Sequence, residues 1–308
     1  MYRTLLAATL SVVAFSAHAE PFTVVALGDT GYGDPAAAYP IYQTLIDTIN
    51  AAAPKLVIHV GDTKSGSTPC SDAVLTQQLA YLNSFAAPTL YSIGDNEWTD
   101  CHRTKAGAFD PLERLAFIRT TYFKDGSHSF GAAPIEVASQ AAEGYPENAR
   151  IMMKDVMFVT AHVPGSNNDS NVREEFLARD AADVKWLQDS FAAAKDAKAL
   201  VIAIQANMFK NSDWNALGDY AFSRQSSYMN FGNELRAQAA AFAKPVLLVY
   251  GDSHVYGEMH PFPLDAANVL ALEVPGDTQM HAVELTIDPE TSSVFSTRLL
   301  VNPAVKTK

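Results

Sequence analysis

The sequence of 308 residues predicts an α/β fold with mixed sheet pairing. Three observations point there. Apolar runs of strand length alternate with segments of helical spacing, four of those runs stop at Gly-Asp, and residues 268–300 show the in-out alternation of strands.

Taken in order, a strand at 23–27 precedes a helix around 36–52, and a strand at 56–60 precedes a helix around 71–86. A strand at 89–93 leads through the loop Gly94 to Arg103 into a helix starting near Asp110-Pro111, where Asp caps and Pro takes the first turn. Residues 126–150, rich in Gly, Ala, Pro and Ser, read as a long loop with one short strand at most. A strand at 156–161 follows, then a helix over 173–194 whose spacing turns Phe176, Val184, Trp186, Leu187 and Phe191 toward the core. Next come a strand at 199–204, an irregular stretch at 206–231, a helix near 233–243 and a strand at 246–250. Three strands close the chain, with turns at Gly276 and Asp288-Pro289.

The runs that stop at Gly-Asp end at Gly28-Asp29, Gly61-Asp62, Gly94-Asp95 and Gly251-Asp252. A ligand crevice in an α/β sheet lies outside the carboxyl ends of its strands. Glycine there permits a sharp turn and close approach, and the aspartate points into the crevice. Carboxylates gathered at one spot repel one another unless a cation sits between them, so the pattern predicts a metal site. The plain alternative is that Gly-Asp is a common turn pair, which is how the pairs at Gly33, Gly218 and Gly276 read.

A basic start, an apolar stretch from Leu5 to Phe15 and Ala17-His18-Ala19 before Glu20 read as a signal peptide over residues 1–19. The expectation is a periplasmic or secreted protein with one domain over 20–308. No cysteine follows the apolar run, so lipid modification is not indicated, and no later stretch is apolar enough to cross a membrane. The remaining 289 residues carry 21 basic and 34 acidic side chains, a net charge of −13. Such a chain repels nucleic acid and anionic membrane surfaces, yet it handles a small anionic substrate where metal ions supply local positive charge. Cys70 and Cys101 suggest one disulfide in an exported chain, and each lies a few residues past a Gly-Asp loop. Two free thiols are the alternative.

In order and spacing these loops resemble the calcineurin-like metallophosphoesterases, in particular their purple-acid-phosphatase-like branch. The matching segments are Gly28-Asp29-Thr30-Gly31, Gly61-Asp62-Thr63-Lys64-Ser65, Gly94-Asp95-Asn96-Glu97, the strand ending in Gln205, and Gly251-Asp252-Ser253-His254, across residues 22–260. The resemblance implies an α/β four-layer fold of two facing mixed β-sheets flanked by helices, with metals at the strand ends. It implies one metal on Asp29, Asp62 and His254, and a second on Asp62, Asp95, Gln205 and Asp252.

The departures from the family pattern are specific. Ser65 stands where the iron-ligating tyrosine would be, so a tyrosinate-iron colour is not expected. Asp95 replaces an asparagine ligand, Asn96 replaces the histidine that serves as acid or phosphate clamp, and Gln205 and Asp252 replace two histidine ligands. This oxygen-rich set prefers Mn²⁺, Mg²⁺, Ca²⁺ or Fe over Zn²⁺. A metal pair of this kind clamps the attacking and leaving oxygens of a phosphoryl displacement.

Two residues stand as candidates for the missing roles. His162 follows a strand and replaces the lost histidine as general acid or phosphate contact, or else is hydrogen-bonded within its own loop. Arg103 grips a phosphate, or else pairs with Asp100 or Glu97 as scaffolding. Lys64 contacts substrate or offsets the local charge, and His59 inside its strand reads as a core residue. A serine hydrolase through Ser253 is a poor fit, because His254 is too close in sequence to serve it as base. The expected function is an exported metal-dependent phosphoesterase acting on a small phosphomonoester or phosphodiester. The alternative is a non-catalytic binding protein on the same scaffold.

Overall fold

A computed structural model describes residues 20–210 and 226–306. The signal peptide predicted over 1–19, the pair at Gly218 and Trp214 lie outside the described residues. Within them, no helix is long and apolar enough to cross a membrane.

Twelve strands form two sheets among the described residues. The strands are β1 (Phe22–Leu27), β2 (Leu56–His59), β3 (Thr89–Tyr91), β4 (Ala138–Gln140), β5 (Tyr145–Met153) and β6 (Val156–Thr160), followed by β7 (Ala199–Ala203), β8 (Val246–Tyr250), β9 (Gly257–Met259), β10 (Val269–Glu273), β11 (Ala282–Ile287) and β12 (Phe295–Leu300). The first sheet runs β12-β11-β1-β2-β3 and the second β4-β5-β6-β7-β8-β10-β9. Pairing is parallel through β1-β2-β3 and through β6-β7-β8-β10, and antiparallel at the flanks.

Strand periodicity explains the layering. Val24 and Ala26 of β1 face the core shared with Phe158, Val201, Leu247 and Leu272 of the second sheet. Their neighbours Val25 and Leu27 face the opposite way, into the helix-side core with Tyr42, Leu45 and Ile49. Strands buried on both faces are apolar at every position, which is why they read as continuous runs. Helices α1 (Pro35–Ala52), α2 (Asp72–Leu82) and α3 (Pro111–Thr121) flank the first sheet. The short turn α4 (Gly165–Asn168) is followed by α5 (Arg173–Ala193) and α6 (Met229–Phe242), and these two long helices cover the second sheet. Asp34, Ser71 and Asp110 each accept a backbone N–H at a helix start, satisfying donors that the helix itself leaves open.

Two expectations are corrected. The stretch 126–150 is not mainly loop, since it contains β4 and most of the nine-residue β5. The pattern was hidden because Glu147 and Asn148 of β5 are buried and polar. On α5 the buried face carries Arg179, Asp180 and Asp183 beside Trp186, Leu187 and Phe191, while Phe176 and Val184 are only half-buried. The three closing strands are present as expected and divide between the sheets: β10 joins the second, and β11 and β12 join the first.

Candidate metal centre

Each of the four Gly-Asp pairs lies just past the carboxyl end of a strand in a parallel pair. The left-handed turn is taken by the aspartates more than by the glycines: φ is 51° at Asp29, 53° at Asp62 and 77° at Asp252. Asp tolerates this region because its short side chain bonds locally. All four glycines, Gly28, Gly61, Gly94 and Gly251, are needed for space. A Cβ on Gly94 would overlap Asp62 Oδ1, and one on Gly251 would overlap Asp29 Oδ2.

The two sheets meet at this pole. Asp252 N donates to Asp29 Oδ1 at 3.2 Å, and His254 Nε2 stands 3.5 Å from Asp29 Oδ1. Asp62 Oδ2 accepts from Tyr32 Oη at 2.8 Å and from Asn96 Nδ2 at 2.7 Å. Asn96 Nδ2 also reaches Tyr32 Oη at 2.6 Å. A position one bond from the Cα of Gly165 lies 2.9 Å from both Asp95 Oδ2 and Asp252 Oδ1, so these carboxylates face the same spot. Gln205 Oε1 accepts from Gly165 N, and the buried Gln205 Nε2 has no hydrogen-bond partner. The sequence-predicted ligands are therefore neighbours at one pole: Asp29 meets His254 and the Asp252 backbone, Asp252 and Asp95 face the same spot, and Gln205 holds Gly165 beside them. Among the described residues, no three His, Cys, Asp or Glu side chains already close around a single point.

Electrostatics tests whether cations fit. Burial raises the pKa of Asp29, Asp62 and Asp252, and the charges of neighbouring carboxylates push the same way. For His254, burial alone would lower the pKa, but Asp29 beside it outweighs burial and raises it. Lys64 is also near and fully buried; its Nζ donates to the carbonyls of Asn96 and Ser65 and forms no ion pair with a carboxylate. Burial lowers its pKa despite Glu97 and Asp62 nearby. The pole thus holds more negative than positive charge. Its donors are carboxylate and amide oxygens, a phenol and one imidazole, and this chemistry fits hard cations.

The loops are built to hold this arrangement. Glu97 accepts from Thr63 Oγ1 at 2.6 Å, Asp62 N at 3.2 Å and Gly94 N at 3.1 Å, tying the second motif to the third. A disulfide joins Cys70 and Cys101 with Cα atoms 5.7 Å apart, so the disulfide expectation holds over two free thiols. Residues Ser166 to Asp169, which take in most of α4, all have φ between 47° and 59°. Arg179 fastens this left-handed turn by donating to Asn168 O and His162 O, each at 2.9 Å. Ser166 Oγ donates to Asp95 Oδ2 at 2.6 Å.

Two candidates are engaged by other partners. His162 is fully buried, with Nδ1 2.9 Å from Glu147 Oε1, and the charges acting on it are those of Glu147, Arg179 and Arg119. The structure pairs it with β5 and with the ring of Trp98, not with the four aspartates. Arg103 forms a 2.5 Å ion pair with Asp100 and is half exposed, which is its scaffolding alternative. Ser253 Oγ bonds Asn207, Lys210 and Glu273, with no bond to His254, so the serine-hydrolase arrangement is absent here. Sequence reading missed Tyr32. Its only signal was Gly31, which turns left-handed at φ 68° and folds Tyr32 back over the pole.

No family profile and no curated protein matches this chain. Solved structures do. A dimetal phosphatase from Danio rerio superposes with a TM-score of 0.57 at 10% identity, covering 91% of this chain and 99% of that one. This is the calcineurin-like metallophosphoesterase fold. A purple acid phosphatase from yellow lupin (Lupinus luteus) seeds is similar at a TM-score of 0.54 and 11% identity, covering 92% of this chain and 54% of that one. In the metallophosphoesterase fold of this chain, two facing mixed sheets with helices on their outer sides put the Gly-Asp loops at one pole, as the sequence resemblance implied.

Proposed function

We propose that this protein is an exported, metal-dependent phosphoesterase acting on a small phosphomonoester or phosphodiester. One observation carries the reading: Asp29, Asp62, Asp95 and Asp252 come from two sheets to one buried pole where negative charge exceeds positive. The phosphatase identity of the fold neighbours supports it.

Asp29, Asp62 and His254 would hold one divalent ion, and Asp62, Asp95, Gln205 and Asp252 a second. Bound there, the ions would supply Lewis-acid charge and lower the pKa of a bound water. The chain's own part is to hold and orient. Glu97 fixes the Asp62 loop, and Asn96 places its two amide N–H groups on Asp62 Oδ2 and Tyr32 Oη. A cleft of about 400 Å³ lined by Tyr32, Ser65, Ser67, Thr68 and Asp277 opens beside the pole and is the size of a small-molecule site. The donor chemistry favours Mn²⁺, Mg²⁺, Ca²⁺ or Fe over Zn²⁺.

The second reading is a non-catalytic metal-binding protein on this scaffold. It is favoured by the two nearest cationic side chains, Arg103 and Lys64, which are engaged with Asp100 and with backbone carbonyls instead of pointing at the carboxylates. Metal titration with phosphomonoester and phosphodiester assays across Mn²⁺, Mg²⁺, Ca²⁺ and Fe separates the two. Chelator-sensitive turnover supports the enzyme; tight uptake with no turnover on a broad panel supports the binding protein. Export is tested by the mass of the mature chain from the periplasm or medium, expected to begin at Glu20.

A further inference from the structure

We propose that the left-handed turn over residues 166–169 sets the geometry of the second ion site, with Ser166 and Arg179 as its positioning residues. The inference rests on the two-ion reading above and deepens it. That reading takes no ligand from the loop after β6. The loop nevertheless touches three of the four residues given to the second ion. Ser166 Oγ donates to Asp95 Oδ2 at 2.6 Å, and Gly165 N donates to Gln205 Oε1. Gly165 also packs so closely that a Cβ on it would stand 2.9 Å from Asp252 Oδ1. The first ion's residues are held by other groups: Asp62 by Tyr32 and Asn96, and Asp29 by His254 and the Asp252 backbone. The turn therefore acts on one half of the pole.

The backbone of this turn is costly and firmly held. Ser166, Asn167, Asn168 and Asp169 have φ of 51°, 54°, 59° and 47°. Asn and Asp tolerate this region, so three of the four positions carry a suitable residue type. Ser166 does not, and it is the residue whose hydroxyl reaches Asp95. Such backbone persists only where its surroundings over-determine it. Arg179, fully buried on α5, donates to His162 O, Asn168 O and Asn168 Oδ1, while Glu175 Oε1 accepts from its Nε at 2.8 Å. Tyr228, just before α6, accepts from Asn168 N at 3.2 Å and donates to Pro164 O at 3.1 Å. The strain thus has a product. Ser166 keeps the Asp95 carboxylate from turning away, and Gln205 Oε1 retains a lone pair beyond the one facing Gly165 N.

The test is calorimetric titration of the full mature protein with Mn²⁺, with bound Mn²⁺ counted by elemental analysis and stability read by urea unfolding. The wild type is expected to take up two ions. Ser166→Gly removes the hydroxyl and suits the left-handed backbone, so its unfolding midpoint should not fall. One ion should bind to it as in the wild type and the other about tenfold or more weakly, as for lost partners of metal ligands. Arg179→Met leaves every proposed ligand in place and should weaken the same ion, at lower stability; should it fail to fold, Ser166→Gly decides alone. Two ions bound by Ser166→Gly as tightly as by the wild type or tighter, or both weakened alike, overturns this inference and leaves the metal reading standing. A folded Arg179→Met with unchanged uptake overturns the role given to Arg179. Fewer than two ions in the wild type overturns the two-ion reading and this inference with it.

Discussion

His162 Nδ1 lies 2.9 Å from Glu147 Oε1, and both side chains are sealed from solvent. Glu147 also takes the guanidinium of Arg119, and these two partners hold its pKa down at about 2 although burial alone would raise it. The neutral imidazole is therefore protonated on Nδ1 and locks β5 to the loop after β6. His162→Ala should lower stability by about 2–4 kcal/mol, the sum of a charge-assisted hydrogen bond and a cavity. Turnover per folded molecule should be unchanged. Urea unfolding beside an assay at matched folded fraction checks this. Lost turnover at unchanged stability would return His162 to the role of general acid.

Burial also makes the fold sensitive to acid. It lowers the pKa of His59 to about 3 and that of His162 to about 4, whereas both protonate near 6.5 in the unfolded chain. Between those limits the unfolded state binds more protons, so stability is present above about pH 6.5 and falls as pH drops toward 4. Glu147, with its lowered pKa, adds a further loss below about pH 4.5. Buried carboxylates with raised pKa, such as Asp183, act in the opposite direction, so a difference measurement is needed. His59 accepts from Gly61 N on Nδ1 and bonds Thr30 through Nε2. His59→Gln should therefore lose stability less steeply over this window, by up to about 1.4 kcal/mol per pH unit. Parallel curves for the two proteins would sink the argument.

Gly94 and Gly33 make a matched pair. A Cβ on Gly94 would overlap Asp62 Oδ1 and stand 2.8 Å from Glu97 Oε2, whereas one on Gly33 meets nothing within 4 Å although φ there is 102°. Gly94→Ala should cost about 1–3 kcal/mol from overpacking and abolish metal uptake by displacing Asp62. Gly33→Ala should cost a similar amount, about 1–3 kcal/mol, from backbone strain alone and leave uptake intact. Calorimetric metal titration of both variants decides.

The Cys70–Cys101 bridge spans 31 residues and joins the loops after β2 and β3. Closing a loop of that length constrains the unfolded chain by about 3–4 kcal/mol. The double variant Cys70→Ser, Cys101→Ser should lose about that much in denaturant unfolding, and added reductant should have no further effect on it. An unchanged midpoint would mean that hydrogen bonds such as those of Glu97 already hold both loops.

Sequence pattern made the strands legible wherever both faces are apolar. Val24 to Leu27 and Val246 to Tyr250 are examples, because burial on two sides leaves no polar position to confuse the period. It failed at β5 and on α5, where Glu147, Asn148, Arg179 and Asp183 are buried in mutual hydrogen bonds and imitate a solvated surface. The Gly-Asp loops were legible for the same local reason, since tight turns at strand ends have their own residue chemistry.

Chain order alone, then, determined the α/β layering and the four aspartates at strand ends, because both follow from short-range periodicity and turn geometry. Only the tertiary structure decided the neighbours: Tyr32 over Asp62, Asn96 between them, His162 withdrawn to Glu147 and Arg103 spent on Asp100. Those pairings depend on how two sheets pack and how left-handed turns aim side chains across them, and no local spacing encodes such distances.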